Sequence, residues 1–165
     1  MKYLFILLLM PSLCNAQALY RDEVDKFTGA KIKESTIVNL KQGFSRKVHI
    51  SARRVNDKLF LDVSRYQPTV FSISEGASLY FLFDNSKSIP IPSKSSMVAR
   101  ANITSGITTW SGTITYEVPK EYWSTFAEQI VTDLRFYENN GYDNFEDIKK
   151  GRAEDFKKAI NLVLE

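Results

Sequence analysis

The chain has 165 residues, 44% hydrophobic and 13% aromatic, with 22 Lys and Arg against 19 Asp and Glu for a formal net charge of +3. That composition belongs to a folded globule rather than a disordered tail, and so small a charge excess gives no ground for binding nucleic acid. One cysteine and one histidine leave no disulfide framework and no thiolate metal cage, so neither metal nor cofactor is expected.

Residues 1–18 read as a secretory signal peptide. Lys2 supplies a short positive region, residues 4–10 an unbroken apolar stretch, and Pro11 breaks the helix ahead of small and polar residues. The stretch is too short for a membrane span. Signal peptidase needs small residues one and three positions before its cut, which Ala16 and Ala18 provide, so Cys14 leaves with the signal. A lipoprotein signal needs a small residue directly before its cysteine, and Leu13 stands there, which argues against lipid anchoring through Cys14. The expectation is an exported protein, periplasmic or extracellular, with residues 19–165 forming one sheet-rich domain large enough to support its own core.

Most of that domain alternates at period two. Val48, Ile50 and Ala52 alternate with His49, Ser51 and Arg53, and Leu59, Leu61 and Val63 alternate with Phe60, Asp62 and Ser64. A two-residue turn at Asn56-Asp57 pairs Val55 with Lys58, Ala52 with Leu61 and Ile50 with Val63, apolar against apolar, which a one-residue slip would destroy. Further strands are expected over residues 69–73, 79–84, 97–103, 107–110 and 113–118. In the third of these, Met97, Ala99, Ala101 and Ile103 share a face. The sequence SIPIP, residues 88–92, has prolines two apart and reads as an edge strand or extended arm. PKEYWSTFAE, residues 119–128, reads as a short helix with Pro119 in its first turn. Ile130, Thr132, Leu134 and Phe136 then alternate toward a turn at Asn140-Gly141. From Gly151 onward, Ala153, Phe156, Ile160, Val163 and Leu164 recur at helical spacing, opposite Lys157, Lys158 and Asn161. The fold class is therefore α+β: an antiparallel, sandwich-like or curled sheet of about eight strands, with the short helix and the C-terminal amphipathic helix packed on it.

The order of VDKFTG near the mature start, many short strands, a late PKEYW and a terminal amphipathic helix resembles small exported proteins of uncharacterised function from Bacteroidetes bacteria. That resemblance implies export and an α+β or sandwich-like domain, and it brings no catalytic residues.

Chemistry is sparse. Two acidic clusters, Asp22, Glu23 and Asp25, and Asp143, Glu146 and Asp147, lack the spacing of a calcium loop, and no glycine-rich turn opens a helix to cradle phosphate. On the polar face of the hairpin, Asp62 lies opposite Ser51, with His49 and Arg53 as diagonal neighbours and Phe60 opposite Arg53. A serine relay there is disfavoured, because same-strand neighbours stand about 6 to 7 Å apart and the ladder consumes the amide donors an oxyanion would need. The first reading of these residues is a cross-strand ion pair of Asp62 with Arg53 or His49; the second is a binding patch of His49, Arg53, Phe60 and Asp62, an aromatic beside arginine. Residues 36–66 hold seven Lys and Arg against two Asp, while residues 133–155 hold seven acids against four bases. The two stretches read first as ordinary solvated surfaces, and second as a basic face that adds attraction for an anionic partner, such as an acidic glycan, a carboxylate ligand or an acidic protein surface. Tyr66, Phe71, Tyr80, Trp110, Tyr122, Trp123 and Phe126 read as core. The expected function is an exported binding module rather than an enzyme. The alternative is a small secreted hydrolase drawing on Asp62, Glu75, Glu117 or Asp133.

Intact-mass measurement of the exported form should show cleavage between Ala16 and Tyr20 and no acyl chain; a mass retaining Cys14 with a lipid would replace the free protein with an anchored one.

Overall fold

The computed structural model describes residues 18–43 and 46–165. All of the signal segment but Ala18 lies outside the described residues. Strands β1 (Leu19–Val24), β2 (Lys31–Ser35), β3 (Val38–Gln42), β4 (Lys47–Val55) and β5 (Lys58–Gln67) come first. They are followed by β6 (Ser72–Ile73), β7 (Ser78–Phe83), β8 (Ser88–Pro92), β9 (Met97–Val98), β10 (Arg100–Thr104) and β11 (Ile107–Val118). A single 3-10 turn at Lys120–Tyr122 leads into α1 (Trp123–Glu128), and β12 (Val131–Glu138), β13 (Gly141–Phe145) and α2 (Lys150–Leu164) complete the chain.

All strand pairings are antiparallel. Seven strands form the large sheet in the order β1-β2-β4-β5-β11-β10, with β3 beside β4, while β13-β12-β7-β8 form a smaller one and β6 pairs with β9. Each of the two main sheets turns its apolar face inward, as alternation requires. Val48, Ile50, Leu59, Leu61, Val63, Ile114 and Tyr116 are buried from the large sheet, and Leu79, Phe81, Phe83, Ile89, Ile91, Leu134 and Phe136 from the small one. Helix α2 lies on β2, β3 and β4 and buries Ala153, Phe156, Ala159, Ile160 and Val163. It reaches the small sheet through Phe156, whose ring stacks on Phe81 at 6.1 Å, while Phe126 of α1 meets Phe81 edge-on at 4.9 Å. The architecture is thus α+β and sandwich-like, with the terminal helix as cover.

The β4-β5 hairpin has the register read from the sequence: Val55 opposite Lys58, Ala52 opposite Leu61, Ile50 opposite Val63. Asn56 adopts the left-handed conformation at φ 54, the geometry a tight two-residue turn demands. Strand β8 is the edge of its sheet, with Ile89 and Ile91 buried and Pro90 and Pro92 exposed.

Elsewhere the structure departs from expectation. Residues 97–103 are not one strand: the amide of Ala99 leaves the ladder to donate to Phe71 O at 3.0 Å, so β9 pairs with β6 while β10 pairs with β11. Ala99 is buried, but Ala101 and Ile103 ride outward on the β10-β11 hairpin. Conversely, residues 107–110 and 113–118 are one strand, β11. At Gly112, midway along it, the Met97 sulfur occupies the space that a Cβ would need. Of residues 69–73 only Ser72–Ile73 pairs. The β12 phase shifts at a bulge between Val131 and Asp133, so Val131 rather than Thr132 turns inward. The β12-β13 turn is Asn139-Asn140, and Gly141, at φ 127, already pairs with Glu138.

One charge is locked between the sheets. Arg65 on β5 is 1% exposed, its guanidinium 4.3 Å from the Phe136 ring, 4.5 Å from Phe71 and 5.2 Å from Phe145. Nη2 donates to Asp143 Oδ2 at 2.8 Å and to the Gln67 side chain at 2.5 Å, and Nη1 lies 2.7 Å from Glu138 Oε1. That last contact is an ion pair off the N–H axis rather than an aligned hydrogen bond. Burial pulls the guanidinium below the ordinary arginine value, opposed first by Glu138 and then by Asp143. Replacing Arg65 by Met keeps the packing and orphans Glu138, which should cost about 3–5 kcal/mol of unfolding free energy in urea melts. Adding Glu138→Gln should recover part of it. A loss below about 1 kcal/mol would show that ring packing alone holds the sheets.

Candidate functional site

Two outward faces compete as sites. On the large sheet, Ser51, Asp62 and Thr115 form one row across β4, β5 and β11, and Arg53, Phe60 and Glu117 form the next. Arg53 Nε donates to Asp62 Oδ2 at 2.9 Å and Nη2 to Oδ1 at 3.3 Å, and the guanidinium sits 5.1 Å from the Phe60 ring. The Thr115 hydroxyl also donates to Asp62, at 2.5 Å. Arg53, Phe60 and Asp62 therefore do come together, partly buried, as a neutral and hydrogen-bonded cluster. His49 does not join them. Its ring tilts against Tyr66 at 5.2 Å, and Ser51 is buried between neighbours. A serine relay needs histidine between hydroxyl and acid, whereas here arginine holds the acid.

The carboxylates of the hydrolase alternative do not gather either. Asp62 and Glu117 share the large sheet, Glu75 lies in the turn after β6, and Asp133 is on β12 of the other sheet. Lys94, which donates from 2.7 Å, and more weakly Lys58 hold Glu117 below the usual carboxylate range, the reverse of what a general acid requires.

The basic stretch of residues 36–66 is largely engaged inside the molecule. Arg53 pairs with Asp62, Lys58 with Glu117, Arg46 with Asp143, and Arg65 with Glu138 and Asp143. Lys41 donates to the backbone oxygens of Glu146 and Asp147, and Arg54 caps the terminal helix at Leu164 O, 2.7 Å away. The acidic stretch of residues 133–155 receives several of these contacts. Lys41, Arg46 and Arg65 thus join the basic stretch to the acidic one.

The outer face of the small sheet is differently built. Reading across the strands, Ser88, Leu82 and Asp133 form one row, Pro90, Tyr80, Arg135 and Asn144 the next, and Tyr137 and Tyr142 pair beyond them. Tyr80 and Tyr137 have ring centroids 5.4 Å apart and Tyr137 and Tyr142 6.1 Å apart, each pair turned by 47°. Tyr142 is 60% exposed, Tyr137 39% and Leu82 37%. Arg135 lies over the Tyr142 ring at 4.5 Å and donates through Nε to Asn144 Oδ1 at 2.8 Å, and Asn144 in turn donates to Glu146 at 3.1 Å. Beside this strip opens a groove of about 380 Å³ bounded by Tyr80, Leu82, Ser88, Asp133, Arg135 and Asn144, with Glu146 and Asp147 along its rim. Asp147 stands at φ 55, a left-handed conformation held by its amide donating to Asp133 Oδ1 at 2.9 Å.

The chain matches no family model, no curated protein and no solved structure. Among the described residues no three His, Cys, Asp or Glu side chains could jointly hold a metal ion, and no helix is long and apolar enough to cross a membrane. Of the aromatics read as core, Phe71 and Phe126 are buried, while Tyr80 is half-buried on the tyrosine face. Sequence reasoning passed over Tyr137 and Tyr142. The available signal was phase: each stands one residue away from an inward phenylalanine or acid on its strand.

His49 generates a pH prediction. Desolvation, and secondarily Lys47, lowers its pKa below 6.5, so the unfolded chain binds the proton first and stability falls as pH drops from 6.5 toward the folded value. Urea melts should show that slope, and His49→Gln should flatten it; an unchanged slope would assign it to carboxylates.

Proposed function

We propose that this chain is an exported, single-domain binding module, and that it binds through the tyrosine face of the small sheet. The carrying observation is that Tyr80, Tyr137 and Tyr142 stand on the solvent side beside a groove whose polar groups are already fixed by one another. Large, rigid aromatics with few rotatable bonds lose little entropy on binding, and side chains cross-tied as Arg135, Asn144 and Glu146 are cost little to organise. Contiguous exposed aromatic surface on a soluble protein commonly marks an interaction site. Export is supported by the signal pattern of residues 1–18. Catalysis has less support, since Ser51 is buried with His49 turned to Tyr66, Arg53 and Thr115 hold Asp62, and Lys94 and Lys58 favour the charged form of Glu117.

Amide chemical-shift mapping with a mixed library of sugars, amino acids, carboxylates and amines tests this reading. Perturbations should concentrate on Tyr80, Arg135, Tyr137, Tyr142 and Asn144. Perturbations confined to Arg53 and Phe60 would move the site to the hairpin face, and turnover of a chromogenic ester or glycoside abolished by Glu117→Gln would replace binding with catalysis.

A further inference from the structure

We infer that the ligand of the tyrosine face is a neutral oligosaccharide, lying along Tyr80, Tyr137 and Tyr142 with one end in the groove. This rests on the reading of that face as a binding surface and goes beyond it by naming the ligand class.

Charge comes first. Arg135 stands in the middle of the face, between Tyr80 and Asn144, where it repels a cationic ligand. Asp133, Glu146 and Asp147 line the groove beside it and repel an anionic one. A surface that penalises either sign fits an uncharged partner. The hydrogen-bonding inventory sets the next condition. Among the described residues, the two terminal nitrogens of Arg135 remain as donors, while the second carboxylate oxygen of Glu146 and both of Asp147 remain as acceptors. An apolar ligand would bury these groups unpaired. A polyol satisfies both kinds, because every hydroxyl is donor and acceptor at once.

Geometry supplies the rest. A sugar ring presents C–H groups on its faces and hydroxyls around its rim, matching an aromatic face flanked by planar amide, guanidinium and carboxylate groups. Successive tyrosine rings at 5.4 and 6.1 Å step at intervals comparable with one sugar unit, and their repeated 47° turn suits a chain that twists. The fixed hydrogen-bond chain from Arg135 through Asn144 to Glu146 holds the polar side of the groove in register with the rings.

The test is calorimetric titration of the purified protein with neutral homohexasaccharides of glucose, xylose, mannose and N-acetylglucosamine. Oligogalacturonate, a lysine-rich peptide and a glutamate-rich peptide serve as charged probes. At least one neutral hexasaccharide should bind, and Tyr142→Ala and Tyr137→Ala should each weaken it by about tenfold or more with melting curves unchanged, since both rings are solvent-exposed. Arg135→Met should weaken the sugar and at the same time admit the lysine-rich peptide. Binding of only a charged probe, lost in Tyr142→Ala, would overturn the saccharide while leaving the tyrosine face as the binding surface. Saccharide binding indifferent to both tyrosine variants, or no binding by any probe, would overturn the inference and the site together.

Discussion

A buried arginine ties the two sheets of this molecule together. Arg65 sits on β5 in phase with Leu59, Leu61 and Val63, so the ladder forces its side chain inward, where a charge is tolerated only if it is paired. The pairing comes from the β12-β13 hairpin, whose own alternation turns Phe136, Glu138, Asp143 and Phe145 inward. The same alternation turns Tyr137 and Tyr142 outward as a cross-strand pair between the two acids. One hairpin therefore carries on its inner side the groups that neutralise Arg65 and on its outer side the aromatics of the candidate site. Whatever fixes the acids also fixes the tyrosines, so the placement of the candidate site depends on an ion pair in the core.

This arrangement also accounts for the uneven charge of the sequence. A basic stretch followed at a distance by an acidic one suggests, from composition, a protein that attracts an oppositely charged partner. In the fold the two stretches meet: Arg46 and Arg65 converge on Asp143, and Lys41 reaches the backbone at Glu146 and Asp147. Three members of the basic stretch are thus engaged by the acidic one, while Arg53 and Lys58 pair with Asp62 and Glu117 outside it. Unlike the buried Arg65 pairs, the exposed contacts of Arg46 and Lys41 contribute little to stability, and their value here is in fixing where the β13-α2 connection lies against β3 and β4.

What could be read from the sequence was what two independent signals agreed upon. The β4-β5 register was legible because turn chemistry at Asn56-Asp57 and alternation on both strands admit the same pairing and no neighbouring one. The terminal helix was legible because its apolar stripe is long and unbroken. Residues 97–103 were not, since alternation there is real but the chain changes partner at Ala99, and a period-two pattern carries no information about which strand it pairs with. The candidate site was half legible. Arg53, Phe60 and Asp62 stand side by side as the register requires, and the cross-strand ion pair expected there forms between Arg53 and Asp62, with His49 turned to Tyr66 instead. For the tyrosine face, period-two reading assigns each residue a side of the sheet, and only the fold shows which side is covered.

An exposed aromatic face invites association with other chains, and the edges of both main sheets bear on that hazard. Strand β8, beside the tyrosine face, carries Pro90 and Pro92, which remove two donors from any ladder a second chain could form there. On the large sheet, β1 carries Arg21, Asp22 and Glu23, and β10 opens with Arg100, so both of its edges bear charge. The opposite edge of the small sheet is β13, the strand that carries Tyr142, and there the Asn144 carbonyl is taken by the Arg46 guanidinium at 3.1 Å. The rings of Tyr80, Tyr137 and Tyr142 stand on the side-chain face of the sheet rather than along a hydrogen-bonding edge. A ligand on that face meets side chains rather than ladder groups, a mode distinct from the strand addition by which many peptides bind.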